Sequence, residues 1–125
     1  MNNNNRPIHL DLGSMRFPPM AIASILHRLS GLALFVLLPY MLYLLHNSLY
    51  SARDYAATLQ MLQSSVHKGL IFIFMAALIY HLLAGIRHIL MDMGFGEHLH
   101  AGRRSAVTII ILALILTILA GLWLC

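Results

Sequence analysis

The sequence predicts an all-α integral membrane protein with three transmembrane helices. Of its 125 residues, 60% are hydrophobic and only 10% are charged, and the mean hydropathy is +0.80. A soluble domain is nearer half apolar and a quarter charged. A bilayer span needs about 20 predominantly apolar residues, and the stretches 25–45, 69–90 and 106–124 meet that need. We expect a cytoplasmic head over 1–24 and a three-helix anchor domain over 25–124.

The elements follow in order along the chain. The prolines of "FPPM" (17–20) end any preceding helix and suit the first turn of a new one. Pro39 lies inside the first span, where a modest kink is expected. The segment "SARDYAATLQMLQSS" (51–65) could form a surface helix before the second span. The third span contains no ionisable residue and predicts packing alone.

The positive charges predict the orientation in the membrane. Six arginines flank one side of a three-span chain: Arg6, Arg16, Arg28, Arg87, Arg103 and Arg104. Only Arg53 and Lys68 fall on the other side. Because Lys and Arg concentrate on cytoplasmic loops, we expect a cytoplasmic N-terminus and a periplasmic C-terminus. The net charge of +4 therefore indicates orientation, not nucleic-acid binding. Without an Arg/Ser-rich amphipathic leader, a bacterial inner membrane is favoured over a mitochondrial one.

One face of the second span carries groups that a bilayer tolerates poorly. At spacings of i, i+4, i+7 and i+11 stand His81, Gly85, His88 and Asp92. His81 lies about nine residues from the inner end of the span, or roughly 13 Å deep. A planar macrocycle needs small residues where it presses on a helix, an imidazole for its iron and cations near its propionates. We therefore predict haem ligation by His81, with Arg87 and His88 near the propionates and Asp92 paired with Arg87 or with a charge of the following connector. The simpler alternative is a neutral His81 that hydrogen-bonds a neighbouring helix.

The second axial ligand of such a haem is missing from the sequence. The third span has no histidine, and we expect His27 and His88 to lie nearer the inner face than His81. Three helices of this size also enclose a haem poorly. The sequence therefore predicts a partner membrane subunit, which supplies the second histidine unless the iron keeps an open position.

A second polar cluster lies at the start of the first span, in "SILHRLSG" (24–31). Ser24, His27, Arg28 and Gly31 share one helical face. A hydroxyl, a titratable imidazole and a fixed cation at the membrane edge suit a quinone, and histidine suits coupled proton uptake. The alternative is an interfacial cap, with Ser24 as the N-cap and Arg28 extended to lipid headgroups.

The sequence resembles a known family in two places. The first is Arg6-Pro7-Ile8, Leu12, Pro19, Ser24 and "HRLS" (27–30), and the second is "HLLAGIRHILMDMG" (81–94). Both resemble the cytochrome b membrane-anchor subunit of succinate dehydrogenase, respiratory complex II. The three-span layout agrees with this resemblance.

The resemblance implies a heterotetramer with a flavoprotein, an iron–sulfur protein and a second hydrophobic anchor subunit. Electrons from succinate would pass to ubiquinone near the inner membrane face. By position, His81 matches the axial ligand of haem b, and the second ligand belongs to the other anchor. Ser24 and Arg28 match quinone-site residues, while His27, Arg28 and His88 match positions near the haem propionates.

Three alternatives remain open from the sequence. A fumarate reductase anchor that works with menaquinone would carry the same motifs. A purely structural anchor without haem would give a colourless complex. A small ion channel would need polar residues on all three spans, which the third span lacks.

Overall fold

In the computed structural model, residues 19–125 are described, and over that range the chain is entirely helical. Helix α1 spans Pro19–Tyr50, α2 spans Ala52–Met61, α3 spans Ser65–Asp92 and α4 spans Leu99–Leu124. The helices α1, α3 and α4 are long and apolar enough to cross a membrane. The predicted fold class and the three candidate spans are thereby confirmed. Of the predicted head over 1–24, residues 1–18 lie outside the described residues, as does the Arg6-Pro7-Ile8 part of the first motif.

Each long helix extends beyond the apolar stretch that predicted it. Their 32, 28 and 26 residues correspond to about 48, 42 and 39 Å at 1.5 Å per residue. The hydrocarbon core of a bilayer is only about 30 Å thick. Helix α1 begins at Pro19, six residues before the predicted span, as the proline in its first turn allows. Helix α1 also continues through Pro39 to Tyr50.

The long helices form an antiparallel bundle. Position 31 of α1 meets His81 of α3, while Tyr40 of α1 meets His67 near the other end of α3. Similarly, Arg87 contacts the N-terminal end of α4, whereas Phe72 contacts Gly121 at its C-terminal end. Helix α2 lies against α1. It is the surface helix predicted from the sequence, and the side chain of Ser51 caps it by accepting a hydrogen bond from the amide of Asp54.

Small residues form most of the bundle's interior. Within the described range, the buried hydrophobic residues are Ala23, Leu44, Ala84, Ala106 and Ala113. Large apolar side chains point outward instead, and Trp123 and Phe35 are 80% and 76% exposed. In a membrane, small residues let helices approach closely, because packing rather than the hydrophobic effect drives their association. The outward apolar surface is suited to lipid or to a partner helix.

The turn between α3 and α4 depends on a glycine in the left-handed region. Gly94 has φ +90°. The amide of Phe95 donates to the carbonyl of Leu90, and the amide of Gly94 donates to that of Met91, both at 3.0 Å. These two bonds are the Schellman motif, which ends a helix with glycine at this position. The turn directs the chain back so that α4 packs against the inner half of α3.

Candidate functional site

The site lies where α1 and α3 face each other, and it is built around three imidazoles. The ring of His27 stacks on that of His81, with centroids 4.3 Å apart and an interplanar angle of 15°. The ring of His88, about two turns further along α3, lies 5.0 Å from His27 at 50°. All three side chains are partly buried. The structure thus brings together the two polar clusters that the sequence analysis treated separately.

The stacking does not change the order of depth expected for the two histidines. Because α1 begins at Pro19, His27 is eight residues inside the helix, or about 12 Å at 1.5 Å per residue. His81 is eleven residues from the end of α3 at Asp92, or about 16 Å. His27 is thus still the nearer of the two to the end of its helix, and the two rings meet face to face.

The hydrogen bonds around His81 define which ring nitrogen carries the proton. Its Nδ1 atom lies 3.1 Å from Ser30 Oγ and 3.3 Å from the backbone carbonyl oxygen of His27. The Ser30 hydroxyl donates its single proton to that same carbonyl at 2.7 Å. A carbonyl can only accept, and a hydroxyl that has already donated can only accept as well. These contacts assign Nδ1 as the N–H donor, and in the neutral ring the lone pair is then on Nε2.

Two glycines allow the helices to hold these rings so closely. A Cβ atom at Gly31 would lie 3.1 Å from Cε1 of His81, and one at Gly85 would lie 3.7 Å from Nε2 of His27. The first distance is tighter than ordinary van der Waals contact, and the second is ordinary contact. A Cβ atom at position 31 would therefore displace the His81 ring by a few tenths of an ångström.

Ser24 and Arg28 occupy the same side of α1 as this cluster, one turn apart. Ser24 is partly buried and Arg28 is exposed. Ser24 is five residues inside α1, so the alternative reading of Ser24 as the N-cap is wrong. Close by, the hydroxyl of Tyr80 donates to the carbonyl of Ala23 at 2.8 Å and joins α3 to the N-terminal turns of α1.

Arg87 does not lie on the histidine face, which corrects two predictions. It is only 6% exposed, and it donates from Nε to Ser105 Oγ at 2.9 Å and from Nη2 to the carbonyl of Gly102 at 3.1 Å. At 3.6 residues per turn, its side chain leaves α3 about 120° away from that of His81. Arg87 therefore joins α3 to α4, and neither a place beside His88 nor a pair with exposed Asp92 fits this geometry.

Some functional contacts were missed from the sequence. Ser30 was given no role of its own and stood only within the motif "HRLS" (27–30), although a serine three residues after a histidine on a helix is placed to bond that residue's carbonyl. Ser105 was missed because the third helix was expected only from residue 106. The charged Arg87 near the end of a span was the signal that a polar partner must exist in a neighbouring helix.

The fold and the site together define a class: a multi-pass helical membrane protein with an imidazole cluster between two spans. Residues 2–120 match the model of the succinate dehydrogenase/fumarate reductase transmembrane subunit family. The chain belongs to this family.

Individual relatives agree with that assignment. The chain is 46% identical to the succinate dehydrogenase cytochrome b556 subunit of Coxiella burnetii, over 97% of this chain and 98% of the relative. It is 31% identical to the cytochrome b556 subunit of Paracoccus denitrificans, over 95% and 92%. The cytochrome b560 subunit of Reclinomonas americana is 29% identical over 94% and 85%. The prediction of a multi-pass membrane-anchor subunit of succinate dehydrogenase is confirmed.

Proposed function

We propose that this anchor subunit binds haem b at the interface with a second membrane subunit, with His81 as the axial ligand through Nε2. The main support is the hydrogen bonding of His81. Because Nδ1 donates its proton to these oxygen atoms, Nε2 is left able to coordinate iron. Ligating histidines almost always donate their other ring N–H to an oxygen acceptor. The relatives named above as cytochromes b556 and b560 support a haem in this family.

The residues around His81 fit such a group. Gly31 and Gly85 keep the approach to both rings open, because neither adds a Cβ there. His88 and His27 extend the cluster from His81 toward the inner ends of their helices. They would supply imidazole N–H donors on the side where we place the propionates, with Arg28 next to His27 in α1. A bound haem supplies one-electron redox chemistry, whereas this chain supplies binding, orientation and electrostatic tuning.

The second axial histidine comes from the partner anchor in this proposal. The faces of His27 and His81 are stacked, so His27 is not opposed to His81 across a metal. Helix α4 contains no histidine beyond His100 in its first turn. Within residues 19–125, no third imidazole faces His81 from the far side, which supports a shared site between two subunits.

A quinone site at Ser24 and Arg28 is the second part of the proposal. Ser24 donates a hydrogen bond to a quinone carbonyl, Arg28 stabilises negative charge on the reduced head, and His27 relays a proton or holds a propionate. Both side chains lie in the first three turns of α1, near the inner membrane face, and neither hydrogen-bonds another described residue. The quinone would be ubiquinone, as expected for a succinate dehydrogenase.

The proposal also covers the other subunits of the complex, its orientation in the membrane and the direction of its reaction. A flavoprotein and an iron–sulfur protein sit on the cytoplasmic side, and a second hydrophobic anchor completes the membrane part. The excess of positive charge on the side of Arg103 and Arg104 supports a cytoplasmic N-terminus in a bacterial inner membrane. The family also contains fumarate reductase subunits, but the named succinate dehydrogenase relatives favour succinate oxidation.

The visible spectrum of the purified complex tests the haem. We expect a b-type α-band in the reduced-minus-oxidised spectrum of the wild type and its loss or alteration in His81→Leu. His46→Leu is the matched control, because His46 is an exposed histidine toward the outer end of α1 and contacts Tyr50. A wild-type complex with flavin and iron–sulfur clusters but no such band would overturn the proposal in favour of a haem-free anchor.

A further inference from the structure

The hydroxyl of Ser30 occupies an unusual position for a membrane-buried polar group. Ser30 is 8% exposed within α1, and its hydroxyl makes two hydrogen bonds. It donates to the carbonyl of His27 at 2.7 Å and accepts from Nδ1 of His81 at 3.1 Å. The three groups form a chain that runs from His81 through Ser30 to the backbone of α1.

The direction of this chain is fixed by chemistry. The carbonyl of His27 has no proton to give, so the hydroxyl proton must point at it, and the oxygen of Ser30 must accept from His81. A hydroxyl that donates to a carbonyl is polarised and becomes a better acceptor, since hydrogen bonds in a chain strengthen one another in a low-dielectric interior. The Ser30 oxygen therefore accepts a stronger hydrogen bond from Nδ1–H of His81 than an isolated hydroxyl would.

We propose that Ser30 is the positioning residue for His81: it fixes the ring plane of the imidazole and increases electron donation from Nε2 to the haem iron. This inference rests on the proposed haem ligation by His81. Outer partners that accept the second ring N–H of a ligating histidine raise its basicity, and their loss typically costs 10- to 100-fold in affinity. Ser30 does not touch the haem, and it acts only through His81.

A purely structural role would not require the hydroxyl of Ser30. Small residues at helix crossings allow close approach whether or not they carry a hydroxyl, so alanine would serve equally well at position 30. The positioning role requires the oxygen. The carbonyl of His27 also lies 3.3 Å from Nδ1, so His81 keeps a weaker, longer bond when the hydroxyl is removed. The expected result of that removal is a looser ligand with the same tautomer.

The experiment compares purified complexes that carry wild-type chain, Ser30→Ala, Ser30→Thr or Ser48→Ala. Ser48 is the matched control, because its hydroxyl bonds the carbonyl three residues earlier in the same helix at 2.8 Å but meets no histidine. Two quantities are measured: the rate of haem transfer to added apomyoglobin and the midpoint potential of the haem by redox titration. Flavin and iron–sulfur content are measured in parallel to confirm assembly.

We expect haem transfer to become about 10-fold faster in Ser30→Ala. The midpoint potential should rise, because a less basic imidazole stabilises the oxidised iron less. Ser30→Thr, which keeps the hydroxyl, restores both values, and Ser48→Ala matches the wild type. If Ser30→Ala does not assemble, Ser30→Cys takes its place, since a thiol has nearly the same shape but is a weak acceptor.

Two results would overturn the role of Ser30, and a third would overturn the haem ligation on which that role rests. Wild-type values for both quantities in Ser30→Ala, with a haem that still depends on His81, would reject the role of Ser30 but not the ligation by His81. Equal changes in Ser30→Ala and Ser30→Thr would assign the effect to packing. A wild-type haem that is unaffected by His81→Leu would instead reject the ligation on which the inference rests.

Discussion

The imidazoles of His27 and His81 stack across the α1–α3 interface, with their centroids 4.3 Å apart. This contact joins the proposed quinone site at Ser24 and Arg28 to the proposed haem ligand within two turns of α1. A change in either site is therefore expected to affect the other. Variants on different faces of the helices separate the effects on the two sites.

Replacing Gly31 should disturb the haem ligand directly. The added Cβ of Gly31→Ala would lie 3.1 Å from Cε1 of His81, so the ring must shift by a few tenths of an ångström. Overpacking of this kind typically costs about 1–3 kcal/mol. We expect a lower midpoint of thermal unfolding for the complex and a displaced haem α-band.

Gly69→Ala provides the control for Gly31→Ala. No atom lies within 4 Å of its added Cβ, and alanine favours a helix over glycine by up to about 1 kcal/mol. This variant should keep the wild-type spectrum and unfold at the same or a higher temperature. Equal behaviour of the two variants would show that the close contact at Gly31 is not present in the assembled protein.

Ser105→Ala should destabilise the packing of α3 on α4 without altering the haem. The substitution removes the acceptor for Nε of buried Arg87, and an unsatisfied buried donor costs about 1–3 kcal/mol. Thr108→Ala is the matched control, because the Thr108 hydroxyl bonds the carbonyl of Arg104 on an exposed surface. The measurement is thermal unfolding together with the haem spectrum. A changed spectrum in Ser105→Ala would place Arg87 in the haem site after all.

The two partly buried tyrosines of the α1–α3 interface should respond oppositely to loss of their hydroxyls. Tyr80→Phe removes the 2.8 Å bond to the carbonyl of Ala23 and should cost about 0.5–1.5 kcal/mol. The hydroxyl of Tyr40 is buried without a partner among the described residues, so Tyr40→Phe should be neutral or stabilising. Thermal unfolding of both variants checks this. A loss of stability in Tyr40→Phe would mean that a partner subunit bonds that hydroxyl.

Ser24→Ala should slow quinone reduction while succinate oxidation remains intact. Loss of one hydrogen bond of about 0.5–1.5 kcal/mol corresponds to a decrease of up to about 10-fold. Succinate–ubiquinone turnover is compared with succinate oxidation by an artificial acceptor that takes electrons before the membrane. Arg28→Lys should also lower ubiquinone turnover, because a lysine keeps the charge but loses the planar fork of donors. Full ubiquinone turnover in Ser24→Ala would reject the role given to that hydroxyl.

The architecture was predictable because hydrophobic length alone identifies a membrane span. The extra turns at both ends of α1 and α3, and at the N-terminal end of α4, were not, because a helix continues into the headgroup region where polar residues are tolerated. Helix α1 thus begins at Pro19, six residues before the predicted span.

The face that carries His81 and His88 was correctly grouped from spacing, since it depends only on the geometry of one helix. The pairing of Ser30 with His81 and of Arg87 with Ser105 depends instead on how two helices are rotated and shifted against each other. Spacing within a single helix contains no information on that arrangement. A rotation of about 120° from His81 was enough to move Arg87 from the histidine face to the contact with α4.

The most direct test of the central claim is the haem-to-flavin ratio in complexes that carry His81→Leu, His27→Leu or His88→Leu beside the wild type. All three histidines lie in one cluster, so a general disturbance of the site would affect them alike. We predict that His81→Leu alone loses the native haem and its α-band, while the other two variants keep near-stoichiometric haem with altered properties. A full complement of unaltered haem in His81→Leu, or its loss only in His27→Leu, would contradict the assignment of His81 as the axial ligand.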